Sequence, residues 1–178
     1  EVAKAAQGLA REVAGTREPM IFLNIGEPDF TAPPLVRQAA DRAVRDGLTQ
    51  YTNALGLDEL RERISGWYAA RFGVNVPARR IVVTAGASAA LQLACLALID
   101  AGDEILMPDP SYPCNRHFVS AAAGRAVLVP TTAEERFQLS AAKVEAAWGA
   151  RTRGVLLASP SNPTGTSISP DELRRIHE

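Results

Sequence analysis

Between Arg80 and Ala158 one pattern recurs: a short apolar run, a turn, then a helical stretch. The runs are 80–84, 104–107, 126–129 and 154–158, and helical segments at 88–100, 112–123 and 140–148 separate them. Gly124 closes the second of these helices. Short, continuously apolar strands alternating with helices specify an α/β fold with a mostly parallel sheet flanked by helices. The helix 88–100 is apolar nearly all round and is expected to be buried.

The preceding part has a different rhythm. Residues 1–14 form a helical pattern, and Met20–Ile25 is a short apolar segment expected to be extended. Gly26-Glu27-Pro28-Asp29-Phe30 is turn chemistry, with Pro28 biasing Glu27 away from the helical region. Pro33 and Pro34 open a helix that runs to Asp46 and stops at Gly47. A polar loop, 48–56, carries Tyr51 and leads into a helix over 57–72 with Gly73 as its C-cap. The organisation expected is an N-terminal segment, 1–47, followed by a larger α/β unit, 48–178.

Both ends read as cuts in a longer protein. The chain begins inside a helical pattern. Ser169, Pro170 and Glu172 form an N-cap, a first-turn proline and a capping box for a helix with no stop signal.

Charge excludes one class of partner. The chain has 19 basic and 20 acidic side chains, a net charge of −1, so no excess of basic residues is available for a nucleic acid. No apolar run reaches the ~18 residues of a membrane span, and no leader pattern precedes the first helix. Cys95 and Cys114 form neither a disulfide framework nor a zinc pattern, so no metal is expected and the cytoplasm is the expected compartment.

Three turns follow the apolar runs and should share one rim of the sheet, the carboxyl end where such folds bind ligands. In Thr84-Ala85-Gly86-Ala87-Ser88 small residues lead into a helix, whose first N–H groups and dipole suit a phosphate. It lacks the Gly-Lys-Ser/Thr ending of a P-loop and the glycines of a dinucleotide fingerprint. In Pro108-Asp109-Pro110-Ser111-Tyr112-Pro113 three prolines stiffen a loop whose Tyr112 can face a flat ligand. In Ser159-Pro160-Ser161-Asn162-Pro163-Thr164-Gly165 the Asn162 amide can hydrogen-bond an oxygen on a ring. Packed turns would use the same residue types. Gly26 has an amide that can meet a carboxylate, and Tyr51 sits in a loop.

Taken in order, Ile25-Gly26-Glu27-Pro28-Asp29-Phe30, Tyr51 with Gly56 and Leu60-Arg61, Thr84-Ala85-Gly86, Pro110-Ser111-Tyr112-Pro113 and Ser159–Gly165 resemble one family over nearly the whole chain. It is the class I and II pyridoxal-phosphate aminotransferases of fold type I, the aspartate-aminotransferase-like group. The resemblance implies a homodimer that uses pyridoxal 5'-phosphate to move an amino group from an amino acid to a 2-oxo acid. It makes 48–178 an incomplete cofactor-binding large domain. It implies that Gly86, Ala87 and Ser88 form part of the phosphate cup and that Tyr112 stacks on the pyridine ring. Asn162 would bond the ring's phenolic oxygen and lie near the substrate carboxylate, which Gly26 would touch through its backbone. Tyr51 would reach the cofactor phosphate of the partner subunit.

The family's Schiff-base lysine, its pyridine-binding aspartate and its carboxylate-binding arginine lie beyond the Ser-Asn-Pro-Thr-Gly element and so beyond Glu178. Only Lys4 and Lys143 are present. Lys143 is expected on a solvated helix far from the rim, so this chain alone is expected to be catalytically inactive. Two other readings remain open at this stage. One is a noncatalytic binding module of the same fold. The other is a serine hydrolase using Ser88, with His117 or His177 as base and Asp109 or Asp171 to orient it, although Ala90 replaces the glycine that a nucleophile elbow needs.

Overall fold

A computed structural model describes residues 2–23 and 26–178. The chain divides into two compact units, Glu1–Tyr51 and Thr52–Glu178.

The first unit holds α1 (Val2–Glu12) and α2 (Pro34–Arg45). Pro34 fills the first turn of α2, where its missing N–H has no helical partner anyway. Arg42 and Arg45 complement the carbonyl end of α2, and Gly47 takes a left-handed φ of 71° beyond it. Met20–Leu23 is not a strand, and the rest of that expected segment, Asn24 and Ile25, lies outside the described residues.

The second unit contains α3 (Asp58–Phe72), one turn of 3-10 helix (Ala78–Arg80), α4 (Gly86–Leu98), β1 (Glu104–Asp109), α5 (Asn115–Ala121), β2 (Arg125–Pro130), α6 (Ala141–Ala147), β3 (Thr152–Val155) and α7 (Pro170–His177). Among the described residues, three strands form one parallel sheet in the order β2-β1-β3. β1 is central, and all its residues except Asp109 are buried.

Alternation along β1 divides the core into two layers. Ile105 and Met107 pack with Cys95 of α4 and Val119 of α5 on one face. Leu106 packs with Val129, Leu139 and Val144 of α6 on the other. The helices therefore sandwich the sheet, as the α/β pattern requires.

Several differences from the sequence expectation have physical causes. The expected strand 80–84 does not form: Arg80 ends the 3-10 turn, and 81–84 have no described strand alongside to complete a ladder. α4 is not buried all round. Only Cys95 is buried, while Leu93, Leu96 and Leu98 are roughly half exposed or more. α4 is covered on the side that meets β1 and α5, and its Leu91, Ala94 and Leu98 line an open groove with Gly154, Val155 and Leu156. α5 begins at Asn115 and not at Tyr112, because Pro113 disfavours helical geometry at Tyr112. That leaves Tyr112 in the loop. Ser169 caps α7 by accepting the Glu172 N–H at 3.2 Å, but the Glu172 carboxylate does not close a capping box. It accepts the Ala141 N–H at 2.7 Å and so caps the neighbouring helix α6.

One charged cluster fixes the amino end of the sheet. Glu104, buried at the start of β1, accepts from Arg125 at the start of β2 at 2.6 Å and from Arg151 before β3 at 2.9 Å. Arg125 and then Arg151 hold its carboxyl below the usual carboxylate range, against the opposing effect of burial. A carboxylate depressed by folding adds stability above its unfolded pKa of ~4.3, and that stability is lost as pH falls through the lower folded value. Glu104→Gln should therefore lower the urea midpoint at pH 7 and narrow its difference from wild type as the pH falls below ~4. An unchanged difference across that window would remove the linkage.

Candidate functional site

The rim at the carboxyl end of the sheet is built in three steps. The first is the approach to α4. Arg61 of α3 donates to Ile81 O at 2.9 Å, Ala78 O at 2.8 Å and Asp58 at 2.9 Å, which anchors the 78–81 segment. Val83 N–H then bonds Leu55 O at 3.0 Å. Here Gly56, at φ 96°, admits Val83 so closely that a Cβ would sit 2.7 Å from its side chain. No larger residue fits without moving this anchor.

The second step is the start of α4 itself. The Ala85 N-cap makes no side-chain cap bond, and the first turn contains no acidic residue. Gly86 turns the chain with φ 80°, and nothing lies within 4 Å of where its Cβ would be. Gly86, Ala87 and Ser88 are exposed. Gly86 N–H is donated back to Thr84 O at 2.8 Å, and the next N–H groups of this uncapped 13-residue helix, at Ala87 and Ser88, face the exposed side, donors that suit a phosphate monoester. The other end of α4 lies at the amino end of the sheet, where Ile99 crowds Gly124 just before β2.

The third step brings the loops to this helix start. Tyr112, half-buried after β1, has its phenol pKa raised, first by hydrogen bonding to the Cys114 side chain, then by the thiol's charge and by desolvation. The Ser88 hydroxyl acts on the same phenol in the opposite direction. The Tyr112 loop follows β1 and so lies at the same end of the sheet as the start of α4. Asn162 is exposed after β3, and β3 runs parallel to β1, so its loop leaves the same end of the sheet. Within this loop Ser161 is buried, Ser161 N–H bonds Thr166 O at 2.8 Å, and Gly165 N–H bonds Ser161 O at 2.8 Å. Three X-Pro bonds of these rim loops, at Pro110, Pro160 and Pro163, are cis.

Gly86, Ala87, Ser88, Tyr112 and Asn162 are thus carried by one rim. Gly26 and Tyr51 belong to the first unit, where both are exposed. Lys143 is not remote from the rim as expected. Its ammonium donates to Pro130 O, the end of β2, and to Glu135, each at 2.7 Å. It is tied up in a local ion pair. Neither histidine serves Ser88: His117 is exposed on α5, and His177 lies on α7, which packs on α6. Among the described residues no hydrogen bond joins Ser88 to a histidine, so the hydrolase reading lacks its base.

The family model of aminotransferase class I and II matches residues 18–178. The chain belongs to the class I and II aminotransferase family. It is 41% identical over 167 residues to the valine–pyruvate aminotransferase of Mycobacterium tuberculosis, covering 94% of this chain and 43% of that protein. It is 40% identical over 171 residues to an aspartate aminotransferase of Rhizobium meliloti, covering 95% of this chain and 42% of that protein. The crystal structure of an aminotransferase from Mycobacterium tuberculosis superposes with a TM-score of 0.87 at 39% identity, covering 97% of this chain and 44% of the other. The chain therefore spans less than half the length of these aminotransferases. No described helix is long and apolar enough to cross a membrane.

Two residues of the aminotransferase rim carry no signal in the sequence. Thr131 and Gln138 are buried polar residues in the turn after β2, and both bond to the ends of neighbouring loops. A lone threonine and glutamine between a strand and a helix resemble any surface turn. Only their burial marks them.

Proposed function

We propose that this chain is the amino-terminal part of a homodimeric, cytoplasmic, pyridoxal-phosphate-dependent aminotransferase, acting on an amino acid and a 2-oxo acid. In this reading 1–47 is the N-terminal segment and 48–178 belongs to the cofactor-binding large domain. The observation that carries the proposal is the uncapped start of α4 on the same carboxyl rim as the Tyr112 loop after β1 and the Asn162 loop after β3. The residue types fit the cofactor: an anion site, an aromatic face and an amide. The names of the relatives, a valine–pyruvate and an aspartate aminotransferase, support the reaction class.

Each residue then has a part. Gly86, Ala87 and Ser88 form the phosphate cup, with Gly86 turning the chain and the N–H groups of Ala87 and Ser88 donating, aided by the helix dipole. Tyr112 covers one ring face and excludes water there. Asn162 donates its amide N–H to the phenolic oxygen and stands near the substrate carboxylate. Gly26 offers its backbone N–H to that carboxylate. Tyr51 reaches the phosphate held by the partner subunit. Bound pyridoxal phosphate supplies the electron sink that makes an amino acid Cα–H bond labile. The protein contributes orientation and charge placement. The lysine that handles the proton lies outside this chain, since Lys143 is held by Pro130 and Glu135.

Adding pyridoxal phosphate to the full-length protein should give an absorbance band that borohydride bleaches and that an amino-acid donor changes, with release of a 2-oxo acid. Absence of the band would remove the reading. A band insensitive to every amino acid would favour a noncatalytic module. Asn162→Ala should raise the pKa of the bound cofactor's absorbance titration by about one to two units, since a hydrogen bond to a charged oxygen contributes ~1.5–3 kcal/mol. An unmoved titration would deny Asn162 that role.

A further inference from the structure

We propose that Gln138 is a positioning residue for the cofactor site, acting through Asn162. This rests on the cofactor reading above. The Gln138 side chain is more than nine-tenths buried in the turn after β2. Its amide nitrogen donates to Thr166 O at 2.9 Å, to Thr166 Oγ1 at 3.2 Å and, at the limit of bonding distance, to Ala158 O at 3.5 Å. Ala158 and Thr166 are the two ends of the loop that carries Asn162. One side chain therefore pins both ends. Thr166 O, the same acceptor, also takes the N–H of Ser161, the residue next to Asn162. The clamp and the turn share an atom.

The other end of this segment holds the neighbouring loop. Thr131 donates to Asp109 O through both its N–H and its hydroxyl at 2.9 Å, fixing the base of the Tyr112 loop. Between Thr131 and Gln138 the turn is internally braced. Glu135 accepts the Thr132 N–H at 2.8 Å and pairs with Lys143, and Phe137 N–H bonds Thr132 O at 2.9 Å. Residues 131–138 thus form a strap along the carboxyl rim, joined at one end to the aromatic loop and at the other to the amide loop. Leu139, fully buried against Leu106 and Val144, seats the strap in the core.

The chemistry of position 138 is specific. All three partners of the Gln138 nitrogen accept hydrogen bonds, two of them carbonyls, so this group must be a donor. Among the described residues its Oε1 has no hydrogen-bond partner, so the bonds of this side chain are made through its N–H groups. Glutamate, of equal size, would place a carboxylate against two carbonyl oxygens. Methionine fills the space and donates nothing.

The test uses the full-length protein with Gln138→Met, Gln138→Glu, Asn162→Ala and the double variant Gln138→Met/Asn162→Ala. Two readouts are needed. In the protein without cofactor, amide hydrogen exchange at Ser161 and Gly165 should accelerate about tenfold or more in Gln138→Met, because the clamp on Thr166 is gone. In the protein with pyridoxal phosphate, Gln138→Met should raise the spectral pKa toward the Asn162→Ala value and weaken cofactor binding about tenfold. It should add no further spectral shift in the Asn162→Ala background, as expected when one residue acts through the other. Gln138→Glu should be at least as severe in exchange, and if it fails to fold, Gln138→Met still decides. Unchanged exchange at Ser161 and Gly165 would overturn the clamp. Fast exchange with an unmoved spectral pKa, or full additivity in the double variant, would leave Gln138 a structural residue and overturn the positioning role. If wild type binds no pyridoxal phosphate at all, the cofactor reading falls, and exchange in the cofactor-free protein alone then decides whether Gln138 holds the loop.

Discussion

Tyr112→Ala in the full-length protein is expected to weaken pyridoxal phosphate binding roughly tenfold to a hundredfold. Stacking of a flat heteroaromatic ring on an aromatic side chain contributes ~1–3 kcal/mol by alanine substitution, and each 1.4 kcal/mol is a factor of ten. The loss falls on the ring and leaves the phosphate subsite, since Ala87 and Ser88 bind through their backbone N–H groups. Inorganic phosphate should therefore still compete with the cofactor at its wild-type concentration. Tyr112→Phe separates two contributions. It keeps the stacking ring and loses only the phenol hydroxyl, so its effect should be much the smaller. Equilibrium titration followed by absorbance measures all three. Equal affinity in Tyr112→Ala and wild type would mean that the tyrosine does not face the cofactor.

The second large effect concerns the scaffold under the rim. Leu106 is completely buried at the centre of β1, in contact with the layer that contains Val129, Leu139 and Val144. Leu106→Ala removes its transfer free energy and leaves a cavity in a layer that cannot collapse, because the parallel strands on both sides of β1 fix its backbone. The expected loss is about 2–5 kcal/mol. It should appear as a lower urea midpoint of the full-length protein, together with faster exchange at the Leu106 ladder. A loss below about 1 kcal/mol would show that this layer is not the core of the unit. Because Leu139 seats the strap in the same layer, the variant should also loosen the Asn162 loop.

What the sequence discloses is what local chemistry decides. Pro33-Pro34 and Gly47 bracket α2, Ser169 caps α7, and Gly73 ends α3 in a left-handed conformation, all as backbone sterics dictate. The alternation of short apolar runs with helices reveals the parallel sheet, since a strand buried on both faces has no other way to read. The rim loops are legible for the same reason: they follow the strands and are stiffened by proline.

What it conceals depends on neighbours. Residues 81–84 have the composition of a strand, yet a strand exists only beside another. The uniformly apolar α4 invites a prediction of full burial, yet burial depends on what covers it. Glu172 has the position of a capping-box residue, but Ala141 of α6 offers an N–H closer to its reach. Lys143 looks like any lysine on a solvated helix, and only the fold brings Pro130 O within its grasp. Gln138 is the clearest case: its partners lie 20 and 28 residues away, and no spacing rule connects them.

The central claim is that separate loops of one sheet edge grip a single flat, phosphorylated ligand. A crystal structure of the full-length protein grown with pyridoxal phosphate tests it most directly. The expected density places the phosphate in the Gly86–Ser88 turn on the N–H groups of Ala87 and Ser88, the ring against Tyr112 and the phenolic oxygen within hydrogen-bond distance of the Asn162 amide. Density for an ordered cofactor elsewhere, or Tyr112 and Asn162 turned away from a common ligand, would contradict it.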